Sequence, residues 1–186
     1  MPCKTQREGR IKIATYDGSL MNPYVAMVRA FSLGNPGVHT ELWVDTYRVS
    51  TFHLNKCVDI KTLDTNIETS EWHVVDIPIT DHTQAVLFLK EAIKSPADYN
   101  ISLTEISMPK MLLDSLDHDL DCCHPENWDK LFCSQFALLF LRRCAIAGIL
   151  DIPKSKQKLL WSVNSKGCLP GRLQLITDQL FSIATQ

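Results

Sequence analysis

One cysteine stands where it could be a reagent. Cys133 lies in Phe132-Cys133-Ser134-Gln135-Phe136, at the head of a stretch with apolar residues at 131, 132, 136–141 and 144–147. That spacing predicts a helix with almost no polar face, buried on most sides. A thiol in the first turn of a helix meets unpaired backbone N–H groups and the positive end of the helix dipole, and both favour the thiolate. A cysteine hydrolase also needs an imidazole to carry the proton, a group to orient that imidazole, and donors for the oxyanion. His39 is the candidate imidazole, and the N–H of Cys133 itself is a candidate oxyanion donor. Two residues compete to orient His39. One is His53, on the next predicted strand. The other is Glu41, two residues along on the same strand face, where a carboxylate would hold an imidazolium charge more strongly than a second imidazole. Against all of this stands the plainer reading of Cys133 as a small residue filling space, because free cysteine is among the most buried residue types.

The elements that must bring these groups together follow from the patterning. Residues 11–16 alternate and predict a strand, closed by the turn signal Asp17-Gly18-Ser19. Asn22 can cap a helix with Pro23 at its first position, which Gly34-Asn35-Pro36-Gly37 then stops. Residues 38–44 alternate with His39, Glu41 and Trp43 on one face, and 48–55 alternate with Val49, Thr51 and His53 sharing a face. A three-residue loop, Asp45-Thr46-Tyr47, sets Val44 opposite Arg48, His39 opposite His53 and Glu41 opposite Thr51. A two-residue loop would destroy that pairing, since a slip of one turns every side chain to the other face. Further strands are expected at 57–60 and 72–79, with Pro78 marking an edge strand. A helix capped by Thr80 or Asp81 should run to Lys94. After a turn at 97–100, residues 106–116 predict a short helix and 117–127 a polar loop. The buried helix should occupy 128–147 and end at Gly148, 155–157 reads as linker, and 170–183 predicts an amphipathic terminal helix. A hairpin and further strands beside packing helices make this an α+β pattern.

Composition bounds the function. The chain has 186 residues, 45% hydrophobic and 22% charged, which suits one globular domain over 11–186 behind a flexible tail at 1–10. A net charge of −2 gives no bulk attraction to nucleic acid or to an anionic membrane. Seven cysteines without the spacing of a disulfide framework predict a reducing, cytoplasmic setting. The polar first ten residues lack the apolar core of a signal peptide, and no apolar run approaches the ~20 residues of a membrane span. No glycine-rich phosphate loop follows a strand, and no cofactor is expected.

Other clusters read as structural. Cys122-Cys123-His124 could bind a metal, but adjacent cysteines rarely aim at one ion, and an exposed loop is the simpler expectation. His39, Glu41 and His53 have the ligand chemistry of a zinc site as well, but no metal is expected there. His73 and His82 are expected at the surface or a strand edge. Trp43, Trp72, Trp128 and Trp161 are expected as core anchors, Cys144 as structural, and Arg142-Arg143 as a solvated helix end.

Several segments together resemble a known family. Val38-His39-Thr40-Glu41-Leu42 is similar to a strand that reads SHVEL in the NlpC/P60 superfamily, and Leu131-Phe132-Cys133-Ser134-Gln135-Phe136 to its FCSEL helix start. Cys168-Leu169-Pro170-Gly171-Arg172-Leu173 resembles its SPxDL segment, and Ala97-Asp98-Tyr99 its PYD element, all in the family's order. The likeness is to the permuted papain-like members, which include bacterial, poxviral and lecithin retinol acyltransferase branches. It implies an antiparallel sheet packed against a buried helix that carries the nucleophile. It further implies Cys133 as nucleophile, His39 as base, a polar third residue on the following strand, which His53 matches by placement, and Tyr99 lining the site as an oxyanion donor. The implied activity is a thiol hydrolase acting on amide or ester bonds of a peptide, an isopeptide or a lipid. The lack of a C-terminal apolar anchor argues against the membrane-bound acyltransferase branch. The chain departs from the pattern in having Val38 where the family often has Ser, and in a long segment at 100–129 that could gate the site or meet a protein partner. That segment motivates the alternative of a catalytically silent interaction protein, in the host cytoplasm if the source is a virus.

Overall fold

Alternation in Ile11-Lys12-Ile13-Ala14-Thr15-Tyr16 turns Ile11, Ile13 and Thr15 to one face, and the strand it builds is an interior strand of the molecule's sheet. The computed structural model describes residues 10–18, 37–52, 57–63, 71–94, 133–164 and 168–181. Among them, β1 (Ile11–Tyr16), β2 (His39–Val44), β3 (Tyr47–Phe52), β4 (Cys57–Thr62) and β5 (Trp72–Ile77) form one five-stranded sheet in the order β4-β3-β2-β1-β5. Every neighbouring pair is antiparallel. Among the described residues four helices accompany it: α1 (His82–Lys94), α2 (Cys133–Ile146), the short α3 (Lys154–Gln157), which runs into a 3₁₀ turn at Lys158–Trp161, and α4 (Pro170–Phe181). The α+β class is therefore as the patterning predicts.

The hairpin corrects the expected register. Val44 pairs with Tyr47, Trp43 with Arg48 and Leu42 with Val49, so the loop is the two residues Asp45 and Thr46. Asp45 takes a φ of 54°, the left-handed conformation that tight hairpin turns need at their first central residue. Slipping the register by one puts Arg48 on the face of Trp43, Glu41 and His39, where Val49 was expected. The pairing that set His53 opposite His39 does not hold, and His53 itself lies outside the described residues. So do the helix predicted at 22–31, the features predicted at 97–127, Trp128, Tyr99, and the tail apart from Arg10.

Strand β5 stops at Ile77, just before Pro78, and occupies an edge of the sheet as that proline implies. Asp81 rather than Thr80 caps α1, accepting the Gln84 N–H at 2.9 Å. The residues read as linker at 155–157 form α3 instead.

Helix α2 is buried from Cys133 through Arg142 and again at Cys144 and Ala145. Phe136, Leu138, Leu139, Phe140 and Leu141 join Ile11, Ile13, Leu42, Val44, Val49 and Ile77 in one apolar core with α1 and α4. Gly148, at φ 72°, ends the helix: the Ile149 N–H reaches the Cys144 carbonyl at 3.0 Å and the Gly148 N–H the Ala145 carbonyl at 3.1 Å, the paired bonds of a left-handed glycine cap.

Arg142 and Arg143 are not a solvated helix end. Arg142 is 1% exposed, and its guanidinium donates to the Leu160 carbonyl at 2.7 Å and the Val163 carbonyl at 2.6 Å. Arg143 pairs with Glu91 of α1 and lies over the Phe88 ring. The C-terminal end of the helix is thus tied to other chain segments. Replacing Arg142 by Met keeps the volume but leaves two buried carbonyls without donors, at about 1–3 kcal/mol each. Urea unfolding of Arg142→Met is expected to show a loss of roughly 2–6 kcal/mol with an unchanged slope. A loss within about 0.5 kcal/mol, the scale of a surface substitution, would mean those carbonyls do not depend on the arginine.

Candidate active site

Two element beginnings meet here. His39 opens β2 and Cys133 opens α2. Continued pairing into the preceding residues holds the start of β2 in place: His39 faces Tyr16 of β1, and the Val38 N–H reaches the Tyr16 carbonyl at 2.8 Å. The start of α2 is held by Ser134, whose hydroxyl donates to the carbonyl of Cys168, just ahead of α4. Strand and helix so fixed place the His39 imidazole in hydrogen-bonding contact with the Cys133 sulfur. Backbone groups of Thr40 and Ser134 also hydrogen-bond the sulfur and favour its ionised form.

Glu41 lies two residues along β2 and has a fully buried side chain. Its Oε1 is 3.3 Å from His39 Nε2 and accepts from Arg48 Nη2 at 2.6 Å. Its Oε2 accepts from Arg48 Nε at 2.6 Å and from Trp43 Nε1 at 3.0 Å. Glu41, one of the two residues that sequence offers to orient His39, is placed against it, and the other, His53, lies outside the described residues. Around this group the aromatic rings close in: Trp72 lies 5.4 Å from Trp43 and 5.1 Å from Tyr16, and the Arg48 guanidinium is 5.4 Å from the Trp72 ring centre.

The electrostatics follow from burial set against contact. Burial is the largest influence on both His39 and Cys133 and opposes charge on each. The mutual contact outweighs it: the sulfur and then Glu41 push the imidazole up to about 10, while His39 and the two backbone groups bring the thiol below its ordinary value. The pair accordingly favours thiolate and imidazolium. The contrast with the other described thiols is sharp, since burial pushes Cys144 and Cys168 up to about 12 and nearby arginines offset only part of it. Burial also works against charge on Glu41, but the bonds from His39, Arg48 and Trp43 prevail and hold its carboxyl down at about 2.

The remaining sequence candidates scatter. Tyr99 and Cys122-Cys123-His124 lie outside the described residues. His73 sits on edge strand β5 and bonds Asp178 of α4 at 2.7 Å, and His82 begins α1 at 3.6 Å from Asp45. Trp43 is buried, Trp72 and Trp161 are half-buried, and Cys144 is fully buried in the core. Among the described residues, no three His, Cys, Asp or Glu side chains are grouped to hold a metal, and no helix is long and apolar enough to cross a membrane. Arg48 is the participant that sequence reasoning missed. Its only signal was the possibility of a two-residue turn, which moves it to the histidine's face.

Comparison with models of known protein families, with curated proteins and with solved structures found no match.

Because its folded value lies below its ordinary one, Glu41 contributes stability in full above pH 4.5 and loses it as pH falls toward about 2. Glu41→Gln removes that charge and strands the guanidinium, which for a buried pair costs about 3–5 kcal/mol. Urea unfolding at a series of pH values is expected to show the full cost near pH 6 and a cost that shrinks steadily below pH 4.5. A cost that stays constant down to pH 3 would mean that Glu41 is not ionised in the folded chain.

Proposed function

We propose that this chain is a thiol hydrolase of amide or ester bonds with the permuted papain-like fold of the NlpC/P60 superfamily. Cys133 is the nucleophile, His39 the proton carrier and Glu41 the group that orients it. The observation that carries the reading is a single imidazole bonded on one side to a thiol with a favoured thiolate and on the other to a buried carboxylate. The order of elements supports the fold, with a histidine on an early strand of an antiparallel sheet and the cysteine at the head of a later, buried helix.

In this mechanism the Cys133 thiolate attacks the substrate carbonyl carbon and forms a C–S bond. The carbonyl oxygen takes the negative charge against the backbone N–H groups at the start of α2, with Tyr99 as a further donor. As the tetrahedral species collapses, the C–N or C–O bond breaks and His39 gives its proton to the leaving amine or alcohol. Water then attacks the thioester, His39 takes its proton, and the acid departs as the thiolate returns. Glu41 Oε1, at 3.3 Å from Nε2, fixes the ring and leaves Nδ1 to the sulfur. The carbonyl substrate is a peptide, an isopeptide or a lipid amide or ester. A reducing cytoplasmic setting, the host's if the source is viral, fits the free thiols of Cys133, Cys144 and Cys168.

A second reading rests on one observation, the 8% exposure of Cys133. A sulfur so covered suits a catalytically silent interaction protein that keeps the ion pair for its structure.

Iodoacetamide at pH 7 separates the two. The hydrolase reading expects preferential labelling of Cys133, abolished by Cys133→Ser and slowed at least tenfold by His39→Ala. It also expects turnover of an activated ester to fall about 10²–10⁴-fold in His39→Ala, the usual scale of lost general acid–base catalysis. A native Cys133 that resists labelling, but reacts like the other thiols once the chain is unfolded in urea, supports the silent protein and sinks the enzyme.

A further inference from the structure

A buried carboxylate can orient an imidazolium only while it is ionised, and burial opposes ionisation. Glu41 has no solvent to stabilise its charge, its side chain being fully buried. Four donor contacts surround its two oxygens, and they are unequal. Arg48 supplies two, each at 2.6 Å, one to each oxygen; Trp43 contributes one at 3.0 Å; His39 stands off at 3.3 Å. A guanidinium engaging both carboxylate oxygens is the strongest neutralising contact a side chain makes. Trp43 carries no charge, and the imidazolium is the group being served, so Arg48 is the counter-charge that stands outside the proton transfer.

The surroundings leave this arrangement little competition among the described residues. On β2 the titratable neighbour is His39, on β3 it is Arg48, and α2 adds Cys133 beyond the imidazole. From β1, Ala14 faces Glu41, while Lys12 lies farther along the same face and pairs with Asp76 of β5 at 3.6 Å. Trp72 of β5 lies against the guanidinium, which is itself half-buried.

We propose that Arg48 is a positioning residue that keeps Glu41 ionised and so sets the acid limb of Cys133 reactivity. This rests on the hydrolase reading. Without the guanidinium, the buried carboxyl takes up a proton, the imidazolium loses its counter-charge, and the thiolate gives way to the thiol at a higher pH. The alkaline plateau stays in place, because there the thiolate forms whether or not His39 is charged.

The test is the rate of iodoacetamide alkylation of Cys133 in the full chain from pH 4 to 10. Arg48→Met is expected to move the acid midpoint up by at least one pH unit and to leave the plateau rate above pH 9 within threefold. Glu41→Gln should reproduce that shift, and the double variant should add nothing to it, as expected for two residues acting as one unit. Arg48→Lys, which restores the charge, should bring the midpoint back within half a unit of wild type. A merely structural role for Arg48 would lower the unfolding midpoint and leave the alkylation profile superimposed on wild type, and that result overturns the proposal. If Arg48→Met does not fold, Arg48→Gln keeps hydrogen-bonding capacity without charge and should show the same shift. The wild-type chain gives a reading free of any substitution: the Glu41 side-chain carboxyl ¹³C resonance should show no protonation above pH 4, and titration above that pH refutes the idea. The two levels fail differently. A wild-type midpoint near 8.5, the ordinary thiol value, removes the thiolate–imidazolium pair itself. A depressed wild-type midpoint that Arg48 variants do not move removes only the role given to Arg48.

Discussion

A carboxylate sealed from water must be answered by donors, and the answer given to Glu41 organises much of the sheet's central region. Arg48 can reach it because the hairpin turns at Asp45-Thr46, and Trp43 because alternation returns it to the same face two residues on. His39 reaches it from the other direction along the same strand. The placement of Arg48 would be lost by a slip of one residue, so the ion pair and the hairpin register specify one another. In water the same pair would be worth little; out of water its geometry matters because any unmet charge is expensive.

Helix α2 poses the same problem at both ends. Its middle is apolar and belongs to the core, yet its first residue is a thiol that favours ionisation and its tenth is a buried arginine. The thiol is answered by an imidazole and by backbone groups, the arginine by two carbonyls from the turn after α3. Polar anchors at either end hold the helix along its axis, which general apolar packing does weakly. The proposed chemistry depends on that hold, because the sulfur's position relative to His39 is a position along this axis.

What could be read from the chain, and what could not, divides along physical lines. The α+β class, the strand at 11–16, the edge position of the strand that reaches Pro78, and the helix ended by Gly148 follow from patterns written locally, although that edge strand stops at Ile77 rather than at Ile79. The juxtaposition of His39 with Cys133 was legible only through motif order, since residues 94 apart in the chain (133 − 39) share no local signal. The role of Glu41 was half visible, because alternation puts it beside His39 but says nothing of what else it touches. Arg48 was hidden by the turn. Asp45-Thr46 lacks the glycine that usually announces a two-residue loop, and alternation alone fits two or three residues equally well. Arg142 was misjudged because a basic residue at a helix C-terminus ordinarily reaches solvent, and only a tertiary contact from residues 160 and 163 reveals otherwise.

The Ser134 hydroxyl bonded to the Cys168 carbonyl also bears on the order of synthesis. A ribosome that has just delivered α2 has made the strand carrying the imidazole and the helix carrying the sulfur, but not the segments that clamp that helix at either end. The carbonyls of Leu160, Val163 and Cys168 all emerge later. A nascent chain therefore carries the Cys133 thiol in an unfinished frame, and the thiol gains its full setting only once residues through Cys168 have followed.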